Sequence, residues 1–538
     1  MNFIKPILIS AFAATILTSC GGGAKVLSTP IENIDTAPLK VSDLTETEQH
    51  NWGHLDLITD TIPGMSVDKA YSEIIKDNAG KTVIVAVIDS GIDIEHEDLD
   101  GVIWTNEDEI PGNGIDDDKN GYVDDIHGWN FLGDTYEEQL EFVRILASGD
   151  TSNPDYERAQ KEYDEEYGKF INYKTQYDQL LQQLKGADET IVAKLNKTDY
   201  SLADLEGITA GDNEELATAT AMAKYILGLG FDDINAAKKE LKNGAESISD
   251  RLNYNLNMKF EGRKTGDDID DLTDVGYGNG NVMPTEDSES HGTHVTGIIA
   301  AERNNGLGAN GVANNVKIMS LRVVSNGDEY DKDVALGIRY AVDNGAKVIN
   351  GSFGKYYSPH SDWVQDAIKY AADHDVLLVM AAGNEGMDLD KEKHHYPTDN
   401  TNNGPEISDN FLSVGALAPK YGPEMVAGFS NYGKINVDVF APGAEIYSTV
   451  PGSDKYDTKG GTSMASPAVA GVAALIRSQY PKLSASQVKR VIMDSGLPIK
   501  IKVVVGGDAS NEQSFTNLSV SGKMVNAYNA LIMASKLK

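Results

Sequence analysis

Three short segments carry side chains suited to acyl transfer. Asp89 opens Asp89-Ser90-Gly91-Ile92-Asp93 and directly follows the apolar run Val83-Ile84-Val85-Ala86-Val87-Ile88. His291 begins His291-Gly292-Thr293-His294-Val295-Thr296-Gly297, which continues into Ile298-Ile299-Ala300-Ala301 and reads as the first residue of a helix. Ser463 lies in Gly460-Gly461-Thr462-Ser463-Met464-Ala465-Ser466-Pro467, ahead of the helix-like run Ala468 to Leu475. Glycines free the backbone for close approach, and a hydroxyl there sits at a helix N-terminus. A serine hydroxyl is a poor nucleophile until an imidazole takes its proton, and a buried carboxylate fixes the imidazole tautomer and stabilises its cation. Ser463, His291 and Asp89 fit those roles. A fourth segment, Gly383-Asn384-Glu385-Gly386, ends another apolar run. The Asn384 carboxamide and the Ser463 backbone N–H are therefore expected to donate to developing negative charge.

The elements that must position these groups are legible in the hydrophobic pattern. A run apolar at every position, as from Val83 to Ile88, suits a strand buried on both faces. Similar runs recur at Val316 to Val324, Lys347 to Asn350, Val376 to Ala382 and Phe411 to Val414, separated by helical patterns at Asp333 to Asn344 and Trp363 to His374. Alternation of this kind predicts an α/β fold with a doubly wound, mostly parallel sheet, whose ligands sit beyond the carboxyl ends of the strands. Residues 135–266 depart from it. There Tyr156, Tyr163, Phe170, Tyr177 and Leu184 recur every seventh residue, and further helical patterns follow at Glu214 to Gly228 and Asp232 to Leu252. This predicts an inserted helical subdomain between two parts of one domain, 51–134 and 267–538.

The segments DSGID, HGTHVTG, AAGNEG and GTSMASP, in that order, resemble the four signature segments of the subtilase family; the order Asp, His, Ser belongs to that resemblance. It covers about 60–134 and 277 onward, not the helices between. The resemblance implies a subtilisin-like fold and a serine endopeptidase working through an acyl-enzyme on a protein or peptide substrate. It assigns the base to His291 rather than His294 and the orienting carboxylate to Asp89 rather than Asp93. Gly351-Ser352-Phe353-Gly354 is similar to the family's substrate strand, so Ser352, Phe353 and Gly354 are expected to pair with an extended peptide. Between them and Ala381, Ala382 and Gly383 lies the expected pocket for the side chain preceding the scissile bond. About two hundred residues separate Asp89 from His291, where compact members of the family have a few dozen, and the intervening helices are expected to screen the cleft. A catalytically silent binding protein on the same scaffold is the alternative, although no member of the triad is missing.

Asp116-Asp117-Asp118-Lys119-Asn120-Gly121-Tyr122-Val123-Asp124 matches the first part of an EF-hand-type loop: oxygens from Asp116, Asp118, Asn120, the Tyr122 carbonyl and Asp124, with glycine at the turn. His127 stands where that loop has a bidentate glutamate, so a partial calcium loop is expected. Asp98 also resembles a family calcium ligand. No zinc pattern is present, so metal catalysis is not indicated.

The balance of 46 basic against 83 acidic residues gives −37 at neutral pH, which repels nucleic acid and anionic surfaces. The one cysteine, Cys20, ends Leu17-Thr18-Ser19-Cys20 after a basic residue and a short apolar run. That run is too short to span a bilayer and reads as a signal peptide, 1–19. The tetrapeptide resembles a bacterial lipobox, implying acylation of Cys20, a tether over 20–50 and a membrane-anchored protein of the cell envelope.

Overall fold

Branched apolar residues at successive positions favour an extended chain covered on both sides. In the computed structural model, which describes residues 28–32, 34, 40–286, 288–392 and 394–537, such a run forms β1 (Val83–Asp89). The other strands are β2 (Gly128–Asn130), β3 (Val316–Arg322), β4 (Val348–Gly351), β5 (Leu377–Ala381), β6 (Phe411–Leu417), β7 (Val439–Pro442), β8 (Ile446–Thr449), β9 (Tyr456–Lys459), β10 (Leu497–Pro498), β11 (Lys502–Val505), β12 (Asp508–Ser514) and β13 (Lys523–Met524). Among the described residues nine of them form one sheet in the order β10-β13-β7-β6-β5-β4-β1-β3-β2. All neighbouring pairs are parallel except β10 with β13. The sequence pattern misses β2, β10 and β13, which at two or three residues are too short to display a period, and also the four-residue β7.

Alternate residues of β1 enter different cores. Val85 and Val87 pack on one face with α5 (His291–Ala300), α8 (Thr462–Gln479), α9 (Ala485–Ser495) and α10 (Ala527–Ser535). Ala86 and Ile88 pack on the other with α6 (Asp331–Asp343) and α7 (Ser361–Asp373). Helices on both faces of a mostly parallel sheet make the doubly wound α/β fold expected from the alternation.

Between β2 and α5 the chain is helical: α1 (Glu141–Ala147), α2 (Tyr156–Leu195), α3 (Glu214–Leu227) and α4 (Ile234–Asp250). The seven-residue stripe lies along the single 40-residue helix α2. It serves two small cores instead of a coiled coil. Tyr156, Tyr163 and Phe170 pack with Leu140, Phe142 and Leu252, whereas Tyr177 and Leu184 pack with Leu216, Ala223 and Leu241.

Part of the stretch expected as a tether is docked. The Ile31 N–H donates to Asn529 Oδ1 at 2.8 Å, the Asn529 amide donates back to the Ile31 carbonyl at 2.8 Å, and Ile34 is 2% exposed. Cys20 and the signal-like run lie outside the described residues.

Candidate active site

A parallel sheet sends its strand ends, and whatever polar residues follow them, to one edge. Asp89 ends β1, Ser352 follows β4, and Gly383-Asn384 lies just past β5. Because Ile88 pairs with Gly351 and Met380 pairs with Gly351 from the other side, these three segments sit side by side. Helices α5 and α8 approach the same edge with their N-termini and bring His291 and Ser463.

Asp89 is 1% exposed. Its Oδ1 accepts from His291 Nδ1 at 2.8 Å and from the Ser90 N–H at 2.8 Å. That bond puts the proton on Nδ1 and leaves Nε2 free to act as a base. Burial disfavours the imidazolium, but the Asp89 charge and hydrogen bond outweigh both burial and the nearby Lys459 cation, so the His291 pKa lies above 6.5. The imidazole stays 38% exposed, open to a substrate. Gly292 permits the approach of α5 to β1, since a Cβ there would meet the Gly91 carbonyl oxygen at 2.3 Å.

Ser463 Oγ donates to the Ser352 carbonyl at 3.1 Å, so its hydroxyl must turn away from that carbonyl to present its proton to His291. Catalytic hydrogen bonds commonly tighten only with substrate in place. Behind it, Ser352 Oγ donates to the Ser463 carbonyl at 2.9 Å, Asn350 Nδ2 donates to Ser352 Oγ at 3.0 Å, and Ser466 Oγ donates to Asn350 Oδ1 at 2.8 Å. This buried chain pins the start of α8 to the end of β4.

The Thr462 N–H can only donate, so the Asn384 atom 2.8 Å from it is Oδ1. The Thr462 hydroxyl donates to the same oxygen at 3.0 Å and accepts from the Gly383 N–H at 3.0 Å. With its oxygen engaged, Asn384 offers Nδ2 as the donor. A Cβ on Gly461 would lie 3.5 Å from Ser463 N and 3.6 Å from both Asn384 Nδ2 and Oδ1, so the backbone N–H and the carboxamide lie close to one point. The φ of Gly461 is 165°, extended backbone open to any residue, and a Cβ there would make only ordinary contacts, so neither conformation nor a clash demands glycine.

The expected pocket walls also meet. A Cβ on Gly354 would stand 3.6 Å from His395 Nε2, and one on Gly383, whose φ is +97°, 3.4 Å from the same atom. Ala381 and Ala382 are buried, and Phe353 is partly buried on the face of α6 and α7. His294 and Asp93 are structural. His294 Nε2 reaches the Ile446 and Asp457 carbonyls at 3.1 Å each, and burial lowers its pKa to about 3. Asp93 accepts from the Glu95 and Gly452 N–H groups.

Sequence reading missed a second buried charge pair beside the triad. Arg322 of β3 meets Glu289 bidentately at 2.9 and 3.0 Å and donates to the Ser90 carbonyl at 2.9 Å, with both side chains fully buried. It ties the entry of α5 to the end of β1. Nothing in either local sequence pairs a strand arginine with a glutamate 33 residues earlier.

The acidic loop gathers one of the expected ligands, Asp118, with two other carboxylates. Asp118 lies with Glu109 and Asp125, their ligand oxygens all within 4.8 Å of one another. Asp116 is turned inward to accept the Asn120 and Gly121 N–H groups, and Asp124 accepts from Asn113 and Gly114. Asn120 Nδ2 donates to Asp118 and Asp125, and the Tyr122 N–H donates to Asn120 Oδ1. Asp98 accepts from Asn305 Nδ2 at 2.7 Å and from the Ala309 N–H at 3.1 Å.

The model of the subtilase family matches residues 80–522. The chain is 43% identical over 194 residues to the thermophilic serine proteinase of Bacillus sp. (strain AK1), covering 36% of this chain and 44% of that protein. It is 40% identical over 242 residues to the cell wall-associated protease of Bacillus subtilis (strain 168), covering 44% and 24%, and 40% identical over 204 residues to subtilisin DY of Bacillus licheniformis, covering 38% and 69%. The match thus spans less than half the length of the first two relatives. With a family match across most of its length, and the family's signature segments gathered at one sheet edge, the chain belongs to the subtilase family.

Proposed function

We propose that this protein is a serine endopeptidase. The observation that carries the reading is the 2.8 Å bond from His291 Nδ1 to buried Asp89, at the same sheet edge as a helix-N-terminal serine. In this mechanism Ser463 Oγ attacks the scissile carbonyl carbon as His291 Nε2 takes the hydroxyl proton. The carbonyl π electrons move to oxygen, where Asn384 Nδ2 and the Ser463 N–H hold the charge. The C–N bond then breaks, the amine leaves with the proton from His291, and water repeats the sequence to release the acyl group. Asp89 stays ionised and holds the ring. The 352–354 edge and the pocket by Gly383 bind the chain to be cut, largely through its backbone. Fluorophosphonate labelling of the full-length chain tests this reading: label at Ser463 supports it, and a folded chain that takes none points to a binding scaffold.

We further propose that Glu109, Asp118 and Asp125 hold a structural calcium ion. Glu109 and Asp125 are buried. The hydrogen-bond partners of the three are neutral: Asn106, Asn120, Tyr340 and backbone N–H groups. Three gathered carboxylates without a countercharge are unfavourable, and an all-oxygen set suits a hard cation. EGTA should lower Tm by about 3–5 °C, as expected for a chain of this size when a ligand at about 100 to 1,000 times its Kd is removed. Glu109→Gln should abolish that response in a thermal scan.

The lipobox-like Leu17-Thr18-Ser19-Cys20 supports anchorage in the cell envelope through an acylated Cys20. Cys20→Ser should then move the protein from the membrane fraction to the soluble one; unchanged partitioning counts against the anchor.

A further inference from the structure

The three residues that continue the expected substrate edge past Gly354 are all held by the helical region. Lys355, 3% exposed, gives Nζ to Glu141 Oε2 of α1 at 2.8 Å and to Asp331 Oδ1 at 3.0 Å. The Tyr356 carbonyl accepts from Arg158 Nη2 of α2 at 3.0 Å. Tyr357, 1% exposed, donates its hydroxyl to Glu162 of α2 at 2.7 Å, and the Arg158 guanidinium lies 3.6 Å over its ring. Burial of Lys355 and of the Tyr357 ring strengthens these charge-assisted and cation–π contacts, although the Arg158 side chain itself is 32% exposed.

The same strap reaches the opposite wall. The Tyr356 hydroxyl donates to Glu385, the residue after Asn384. Glu385 also accepts from Asn431 Nδ2, which donates to the Ala382 carbonyl at 2.9 Å. One guanidinium therefore holds a backbone carbonyl three residues past Phe353, and the side chain of that same tyrosine touches the segment carrying the oxyanion donor.

We propose that the root of α2, through Arg158 and Glu162, positions the peptide-binding edge at 352–357, making the helical region part of the substrate site and not a removable screen. Arg158 and Glu162 act through Tyr356 and Tyr357 and are positioning residues. The proposal rests on the peptidase reading. It predicts a selective defect: a peptide laid along the edge binds less well, while a small electrophile that uses only Ser463 and the oxyanion donors does not sense the change.

The test compares wild type with Arg158→Met, which keeps a long apolar stem, and Tyr357→Phe, which removes one hydroxyl. For a peptide of six or more residues, KM should rise about tenfold in Arg158→Met with kcat within about twofold, and less in Tyr357→Phe. The rate of labelling by a small alkyl fluorophosphonate should not change, and amide hydrogen exchange should quicken at 352–357. Unchanged KM and exchange overturn the proposal. So does a parallel loss of peptide cleavage and labelling, which reports a general folding defect. A wild type that takes no label refutes the peptidase reading instead, and the exchange comparison still decides whether α2 holds the edge.

Discussion

Ser463→Ala is expected to lower kcat/KM for peptide hydrolysis by on the order of 10⁶, a magnitude carried over from subtilisin, and to abolish fluorophosphonate labelling. The size follows from the roles. Without Oγ no acyl-enzyme forms and the base has no proton to take, so only transition-state binding and the oxyanion donors remain. The fold should survive. Ser463 is only partly buried and, among the described residues, its hydroxyl makes one hydrogen bond, to the Ser352 carbonyl, so its loss should change Tm little. Thermal scans alongside turnover would separate lost chemistry from lost structure, and residual label would place the nucleophile elsewhere.

Asp89→Asn is expected to cost about 10⁴-fold in kcat/KM and to move the acidic limb of the pH profile. An amide can donate to the imidazole and stabilise the wrong tautomer, and it cannot stabilise the cation formed during attack. In the wild type burial and Lys459 oppose the imidazolium, but Asp89 prevails, so the His291 pKa lies above 6.5. The base works only when neutral. Activity should therefore fall as pH drops through that raised value and level off above it. In the Asp89→Asn variant the raising cause is gone and burial remains, so the limb should move below 6.5. A limb that stays in place would mean another group sets it. Stability runs the other way. A pKa raised by folding contributes stability that is full below the unfolded value and is lost as pH rises through the folded one. The pair thus stabilises the fold least in the pH range where it works best.

The residues of the proposed triad could be picked out because each sits in a short segment that carries its own backbone instruction. A buried strand ending at Asp89, a helix opening at His291 and a Gly-Gly turn before Ser463 follow from apolar runs and glycines within a few residues. Asn384 was legible for the same reason. So was the two-faced parallel sheet, since runs apolar at every position leave no face for water. Hydrophobic period also exposed the helical region and the stripe along α2, because periodicity reports which side of a helix is buried.

Period does not report what buries it. The stripe from Tyr156 to Leu184 has the spacing of a coiled coil, yet it divides between two small cores, a division set by where α1, α3 and α4 fall. Polar partnerships are less local still. The pairing of Arg322 with Glu289, the docking of Ile31 on Asn529 and the grip of Arg158 on Tyr356 join segments far apart in the sequence. Even within the acidic loop, only the fold shows that Asp116 and Asp124 accept nearby backbone N–H groups and that Asp118 meets Glu109 and Asp125. The sequence by itself determined the layers and which residues are candidates for the chemistry, because those depend on neighbours along the chain. Only the tertiary structure decided which buried charges meet, because that depends on the packing and orientation of whole elements, where a hydrogen bond tolerates less than an ångström of displacement.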